Sequence, residues 1–122
     1  KINITAVYSA NQVNKILKKI NKKTKVIISI FAGRAGDAGN DPIPEFEKSL
    51  KMVKNYKNVK ILWASVREPY NYIEAKRIGC HIITIPPSII GKIEKFGKSL
   101  NKLSLETVKG FLVDSKKSKF KI

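Results

Sequence analysis

The chain has 122 residues, room for one domain and too few for two, and a hydrophobic share of 43% with only seven Gly and five Pro excludes a disordered chain. No apolar run approaches the length of a membrane span. Twenty-five basic residues against nine acidic give a net charge of +16, which points to a polyanion partner such as nucleic acid or an anionic membrane surface. Yet Arg34, Arg67 and Arg77 are the only arginines, and no aromatic residues interleave with the lysines, which argues against nucleic acid. Cys80 stands alone, so an internal disulfide is excluded and a reducing cytoplasm is the simple expectation. The chain opens at a strand-like segment without Met, which suggests that something preceded it.

Residues 2–8 read as a strand, with Ile2, Ile4, Ala6 and Tyr8 on one side and Asn3, Thr5 and Val7 on the other. Val13, Ile16, Leu17 and Ile20 follow at helical spacing. Residues 25–31 form a second strand whose run Val26-Ile27-Ile28 suits a parallel strand buried on both faces. Residues 33–41 read as a glycine-rich loop. Residues 42–56 form a helix with Phe46, Leu50 and Val53 as its core stripe, Asp41 as its cap, and Glu45 and Glu47 favouring its dipole. Residues 59–65 are a third strand. Pro69 starts the next helix and Gly79 ends it. Residues 81–85 are a fourth strand. A helix begins at Pro86-Pro87 and runs to about Phe96, and a last helix spans residues 103–112 with Ser104 as its cap. Residues 1–114 make the folded unit, and residues 115–122 a basic tail that frays.

Strands alternating with helices imply parallel βαβ units, either a small doubly wound sheet or half of an eight-stranded barrel. In both, chemistry collects at the carboxyl ends of the strands. Asn3 and Thr5 share one face of the first strand. The second strand offers Ser29 and, past its end, Arg34. The third offers Ser65 and Arg67. Each has a plain structural reading, since Ser and Thr are tolerated in strands and a strand-end Arg often makes a surface ion pair. As a set, two arginines and two serines on one rim point to a phosphorylated ligand, because Arg grips phosphate with two parallel charge-assisted bonds. Trp63 shares the strand face of Ser65 and is expected inside a barrel. His81 opens a strand at the amino-terminal rim, where a structural role is expected. Cys80 reads as a small buried apolar group. No metal-ligand cluster and no organic cofactor site is visible.

Three segments together carry a resemblance: Asn3-Ile4-Thr5-Ala6-Val7-Tyr8-Ser9-Ala10-Asn11-Gln12, Ser29-Ile30-Phe31-Ala32-Gly33-Arg34, and Ala64-Ser65-Val66-Arg67. Each resembles a signature of the transaldolase family, closest to its short transaldolases and fructose-6-phosphate aldolases. Ile83-Thr84-Ile85-Pro86-Pro87 resembles that family's eighth strand and the start of its last barrel helix. The resemblance implies an α/β fold of parallel βα repeats, strands five to eight of a (β/α)8 TIM barrel with an extra C-terminal helix. It implies transfer of a dihydroxyacetone unit between sugar phosphates, among them fructose 6-phosphate, erythrose 4-phosphate and glyceraldehyde 3-phosphate, through a lysine Schiff base that needs no cofactor.

Under that resemblance Asn3 and Thr5 would lie beside the Schiff base, Ser29 would bond the dihydroxyacetone unit, and Arg34, Ser65 and Arg67 would hold the phosphate. Phe31 stands where the fructose-6-phosphate aldolases carry Tyr, which leans toward transfer. Ala32 departs from the usual Val, and Ala35-Gly36-Asp37 makes an unusual continuation. The family's strand-four lysine has no counterpart here. Lys1, Lys25 and Lys60 sit near the amino-terminal rim and the helical lysines face solvent, so the chain alone is expected to be inactive. The expected partners are the missing half-barrel or a second copy, and no membrane. The rival expectation is a non-catalytic half-barrel that binds sugar phosphates or nucleic acid.

Overall fold

The computed structural model describes residues 1–118. In chain order the elements are β1 (Ile2–Val7), α1 (Ala10–Leu17), β2 (Val26–Phe31), α2 (Ala32–Asp37), α3 (Ile43–Val53), β3 (Val59–Ala64), α4 (Tyr70–Ile78), β4 (Ile82–Ile83), α5 (Pro87–Ile93) and α6 (Leu100–Ser118). The four strands form one sheet in the order β1-β2-β3-β4, and every neighbouring pair is parallel. A doubly wound sheet reverses its strand order at a switch point. This sheet does not: each strand is laid down beside the one before it, as in the wall of a barrel.

Strand alternation sorts the side chains into two layers. Val26, Ile28 and Ile30 of β2 and Val59, Ile61 and Trp63 of β3 enter the main apolar core. Val13 and Leu17 of α1, Phe46 and Val53 of α3, and Ala75 of α4 close over them. Each fully buried side chain of this size contributes roughly 1.5–3 kcal/mol by leaving water. The other set, Asn3, Thr5, Ile27, Ser29, Phe31, Lys60, Leu62 and Ala64, belongs to the opposite face and takes no part in that core.

The alternation in β1 does not run through to its end. Ala6 has φ 58, in the left-handed region, and the pairing with β2 shifts register between Ile4 and Val7. Val7 therefore joins the core instead of sharing a face with Asn3 and Thr5. Such an irregularity re-aims the residues that follow it, here at the carboxyl end of the strand.

Several elements differ from the sequence expectations. The glycine-rich stretch 33–41 folds in part as the short helix α2, because Ala32 and Ala35 sustain a turn that Gly39, at φ 83, then ends. Strand β4 is only two residues long, although the Thr84 N–H still donates to the Trp63 carbonyl at 3.1 Å. Pro86 and Pro87, which have no N–H, stop it there. Helix α6 begins before Leu103: the Ser99 hydroxyl accepts the Lys102 N–H at 3.1 Å, so Ser99 does the capping expected of Ser104. Helix α6 runs on through Ser115 to Ser118, inside the segment expected to fray, and residues 119–122 lie outside the described residues.

Trp63 is the clearest correction. It does not point to the face opposite the helices but into the helical layer, stacked on Phe46 with ring centroids 4.5 Å apart and planes 17° from parallel. Other local expectations hold. Gly79 ends α4 at φ 78, and the Asp41 carboxylate accepts the Ile43 N–H at 3.0 Å at the start of α3. His81 has a structural contact, its Nδ1 accepting the Ile61 N–H at 2.9 Å, and burial beside Lys60 lowers its pKa. Cys80 is half-buried, and burial pushes its thiol pKa up. No described helix is long and apolar enough to cross a membrane.

Candidate functional site

The site residues fall into two adjoining groups on the face and rim that the core leaves free. The first is a polar pair on the strands. Ser29 is buried, and its hydroxyl donates to Asn3 Oδ1 at 2.7 Å. Asn3 sits on the exposed side of β1, so this bond fixes one end of its amide and leaves the Nδ2 donors turned to other acceptors. Thr5 follows two residues further along β1 and is also exposed, without joining the Asn3–Ser29 contact.

The second group forms at the carboxyl ends of β2 and β3, and one glycine decides its geometry. A Cβ built on Gly33 would stand 2.0 Å from the Ser65 carbonyl oxygen, 2.5 Å from Arg67 Cγ and 3.0 Å from Ser65 Oγ. Only a residue without a side chain lets the start of α2 press this closely on the segment after β3. The contact is completed by the Arg34 N–H, which donates to Ser65 Oγ at 3.1 Å. Ser65 itself has φ 63, a conformation a serine rarely adopts. The strand therefore ends at Ala64, and the expected two-residue alternation between Ser65 and Arg67 does not carry over into the turn.

Beyond the turn, Asn71 holds the backbone, its Oδ1 accepting the N–H groups of Arg67 at 2.9 Å and Glu68 at 3.1 Å. Phe31, the last residue of β2, meets Tyr8 edge to face with centroids 5.9 Å apart. The Arg34 guanidinium carbon lies 5.8 Å from the centre of the Phe31 ring. Arg34, Phe31, Ser65 and Arg67 thus come together at one rim, as their places at strand ends imply.

Arg67 is already paired. Its Nη2 donates to Asp37 Oδ2 at 2.9 Å and its Nε to the same oxygen at 3.1 Å. These hydrogen bonds hold the Asp37 carboxyl below the ordinary carboxylate range and raise the Arg67 guanidinium, with the Arg34 charge adding to the effect on Asp37. Both side chains are open to water, so an anion can compete for Arg67. Asp37→Asn removes that competitor and is expected to tighten inorganic phosphate binding several-fold, measured by titration at neutral pH. Unchanged or weaker binding would show that Asp37 positions Arg67 rather than occupying it.

Gly33, Asp37, Tyr8 and Asn71 are the participants that residue-by-residue reading of strand ends passes over. Asp37 follows Arg34 by three residues in sequence, but its pairing with Arg67 becomes clear only once α2 folds back toward β3. Among the described residues no group of three or more His, Cys, Asp or Glu side chains is placed to hold a metal ion.

Comparison with known proteins places this arrangement. The whole chain, residues 1–122, matches the family described as Transaldolase/Fructose-6-phosphate aldolase. It is 36% identical over 120 residues to a probable transaldolase of Nitrosopumilus maritimus, covering 97% of this chain and 50% of that protein. It is 36% identical over 118 residues to a probable transaldolase of Anaeromyxobacter sp., covering 96% and 51%. A probable transaldolase of Novosphingobium aromaticivorans is 34% identical over 122 residues, covering 99% of this chain and 52% of the relative. The chain spans about half the length of these curated relatives. Four parallel strands laid down in sequence, a polar pair on their free face and two arginines at their carboxyl rim accompany a match that runs from end to end, and the chain belongs to the transaldolase/fructose-6-phosphate aldolase family.

Proposed function

We propose that this chain supplies strands five to eight, with the final helix, of a transaldolase-type class I aldolase. That enzyme transfers a dihydroxyacetone unit between sugar phosphates through a lysine Schiff base, the lysine lying outside this chain. The observation that carries the reading is the rim fixed by Gly33, where Arg34 and Arg67 flank Ser65 at the carboxyl ends of β2 and β3. Two guanidinium groups and a hydroxyl suit a terminal phosphate dianion, provided Arg67 exchanges Asp37 for the ligand.

In this reading the phosphate anchors one end of the sugar, and Asn3 and Ser29 receive the other end on the free face of the sheet. The Ser29–Asn3 bond orients the Asn3 amide so that its Nδ2 donates to a substrate hydroxyl or a water beside the reacting carbon. Thr5 adds a hydroxyl on the same face. Phe31 presents an apolar ring beside Arg34, where a phenolic hydroxyl would add a proton donor; its absence favours transfer of the dihydroxyacetone unit over its release. The substrate set is fructose 6-phosphate as donor and erythrose 4-phosphate as acceptor, with glyceraldehyde 3-phosphate released. The free face is completed by the other half of the barrel, or by a second copy of the chain, in the cytoplasm.

A carbonyl-trapping lysine must be partly neutral and placed near the carboxyl rim. Lys60 is the lysine of the described strands on the free face, but it pairs in register with Ile27, before the level of Ser29, and lies toward the amino end. Borohydride reduction of the 122-residue chain with fructose 6-phosphate is therefore expected to leave its mass at 13.7 kDa. Binding of fructose 6-phosphate by the same chain is expected to fall by about tenfold or more in Arg34→Ala and Arg67→Ala, since each loses a charge-assisted contact worth about 1.5–3 kcal/mol. A sugar adduct on this chain would overturn the placement of the nucleophile. Binding that ignores both arginines would overturn the phosphate site.

A further inference from the structure

At the opposite end of the sheet from that rim lies a cavity of about 750 Å³, and six lysines surround it: Lys1, Lys22, Lys23, Lys25, Lys57 and Lys60. No carboxylate lines it. The nine acidic residues of the chain begin at Asp37, so the first 36 residues carry no compensating charge. None of the six lysines takes part in an ion pair among the described residues. Like charges brought to one concave wall repel one another, and the low-dielectric protein behind them focuses their field into the opening.

The backbone that carries these lysines is held in place. The Asn58 side-chain amide donates to the carbonyl of Asn21 at 2.9 Å and that of Thr24 at 2.8 Å, tying the α1–β2 loop to the α3–β3 turn. Asn21 Oδ1 in turn accepts the N–H groups of Lys23 at 2.9 Å and Thr24 at 2.8 Å. Val26 donates to the Asn58 carbonyl at 2.8 Å and Ile2 to the Lys25 carbonyl at 2.9 Å, which adds the start of β1 to the same assembly. Three segments far apart in sequence thus present their lysines from fixed backbone, so little loop ordering opposes binding. Ile27 and Ile82 give the cavity an apolar lining.

We propose that this amino-terminal cavity is a binding site for a small polyphosphate anion, such as tripolyphosphate or the phosphate chain of a nucleotide, separate from the rim that holds Arg34 and Arg67. Lys22, Lys23 and Lys57 stand on the loops of the amino-terminal rim, outside the free face that the proposed reading has the other half of the barrel cover, and they carry the site; Ile27 and Lys60 lie on that face. The site's lysines are flexible point charges suited to a multiply charged anion, where the bidentate forks of Arg suit a single phosphate. The separation of the two sites follows from the sheet, one lying at the amino ends of β1 to β3 and the other at the carboxyl ends of β2 and β3.

The test is calorimetric titration of the full chain with sodium tripolyphosphate at low ionic strength. One saturable site is expected, weakening as salt is added. A triple variant, Lys22→Gln with Lys23→Gln and Lys57→Gln, is expected to bind at least about tenfold more weakly, the loss of three converging charges at an effective dielectric near 20. A charge-matched control, Lys15→Gln with Lys18→Gln and Lys51→Gln, removes the same charge outside the cavity and is expected to change affinity by less than about twofold. The double variant Lys22→Gln with Lys23→Gln gives an intermediate loss, and thermal unfolding of each variant separates lost binding from lost folding. Equal losses in the triple variant and its control would overturn the proposal in favour of diffuse charge attraction, as would the absence of saturation. Tighter binding of a single-stranded oligonucleotide through the same three lysines would overturn it in favour of a nucleic-acid surface.

Discussion

Gly33→Ala is expected to open the carboxyl rim and reduce phosphate binding by about tenfold or more, the scale of losing a charge-assisted contact. The new methyl would stand 2.0 Å from the Ser65 carbonyl oxygen and 2.5 Å from Arg67 Cγ. An arginine side chain can swing aside, but the carbonyl belongs to backbone already held at φ 63 and cannot yield without breaking the bond from Arg34 N–H to Ser65 Oγ. Overpacking of this kind costs typically 1–3 kcal/mol in stability, so the protein is expected to remain folded while losing the site. Gly36→Ala is the control in the same helix, where nothing lies within 4 Å of the added methyl. It is expected to leave binding intact and to raise stability by roughly 0.5–1 kcal/mol, the helix advantage of Ala over Gly. Titration with inorganic phosphate and thermal unfolding of the two variants check both halves; equal behaviour of Gly33→Ala and Gly36→Ala would end the claim that close approach at Gly33 shapes the rim.

The contrast between those two glycines also marks where sequence reading stops. The alternation of strands and helices was legible because its signals are local: Val26-Ile27-Ile28 for a buried strand, Pro69 and Gly79 at the ends of α4, Asp41 before Pro42. The places of Ser29 inside β2 and of Arg34, Ser65 and Arg67 beyond strand ends were legible for the same reason, since a strand's extent follows from its run of apolar residues. What is not local was not legible. Gly33 and Gly36 look alike in sequence and differ only in what the β3–α4 turn brings against them. Asp37 becomes the partner of Arg67 only when α2 forms. The phase of β1 was lost at Ala6, where a left-handed residue and a register shift move Val7 to the core. The phase of β3 breaks for a similar reason: a period of two groups Trp63 with Ser65, but Ser65 has already left the strand.

That correction of Trp63 leads to the largest expected loss of stability. Trp63→Ala and Phe46→Ala are each expected to cost about 3–5 kcal/mol, the usual range for removing a buried aromatic side chain. Phe46 is 0% and Trp63 1% exposed, and the two rings lie face to face where α3 crosses β3. For a chain of this length such a loss lowers Tm by about 10–20 °C, a large part of the stability a domain has. Because the rings touch, the two losses should not add: a double-mutant cycle is expected to show a coupling of about 0.5–1.5 kcal/mol beyond the single effects. A Trp63 that faced away from the helices would give independent losses and no coupling, so strict additivity would refute the placement. The indole carries a further signature. Trp63 Nε1 is buried and has no hydrogen-bond partner among the described residues. An unpaired buried donor costs about 1–3 kcal/mol, so Trp63→Phe, which removes that donor together with part of the ring, is expected to lose less than half of what Trp63→Ala loses. The stacking on Phe46 survives in that variant and the unsatisfied N–H does not, so thermal unfolding of Trp63→Phe beside Trp63→Ala separates the energy of the stacked rings from the penalty carried by the indole.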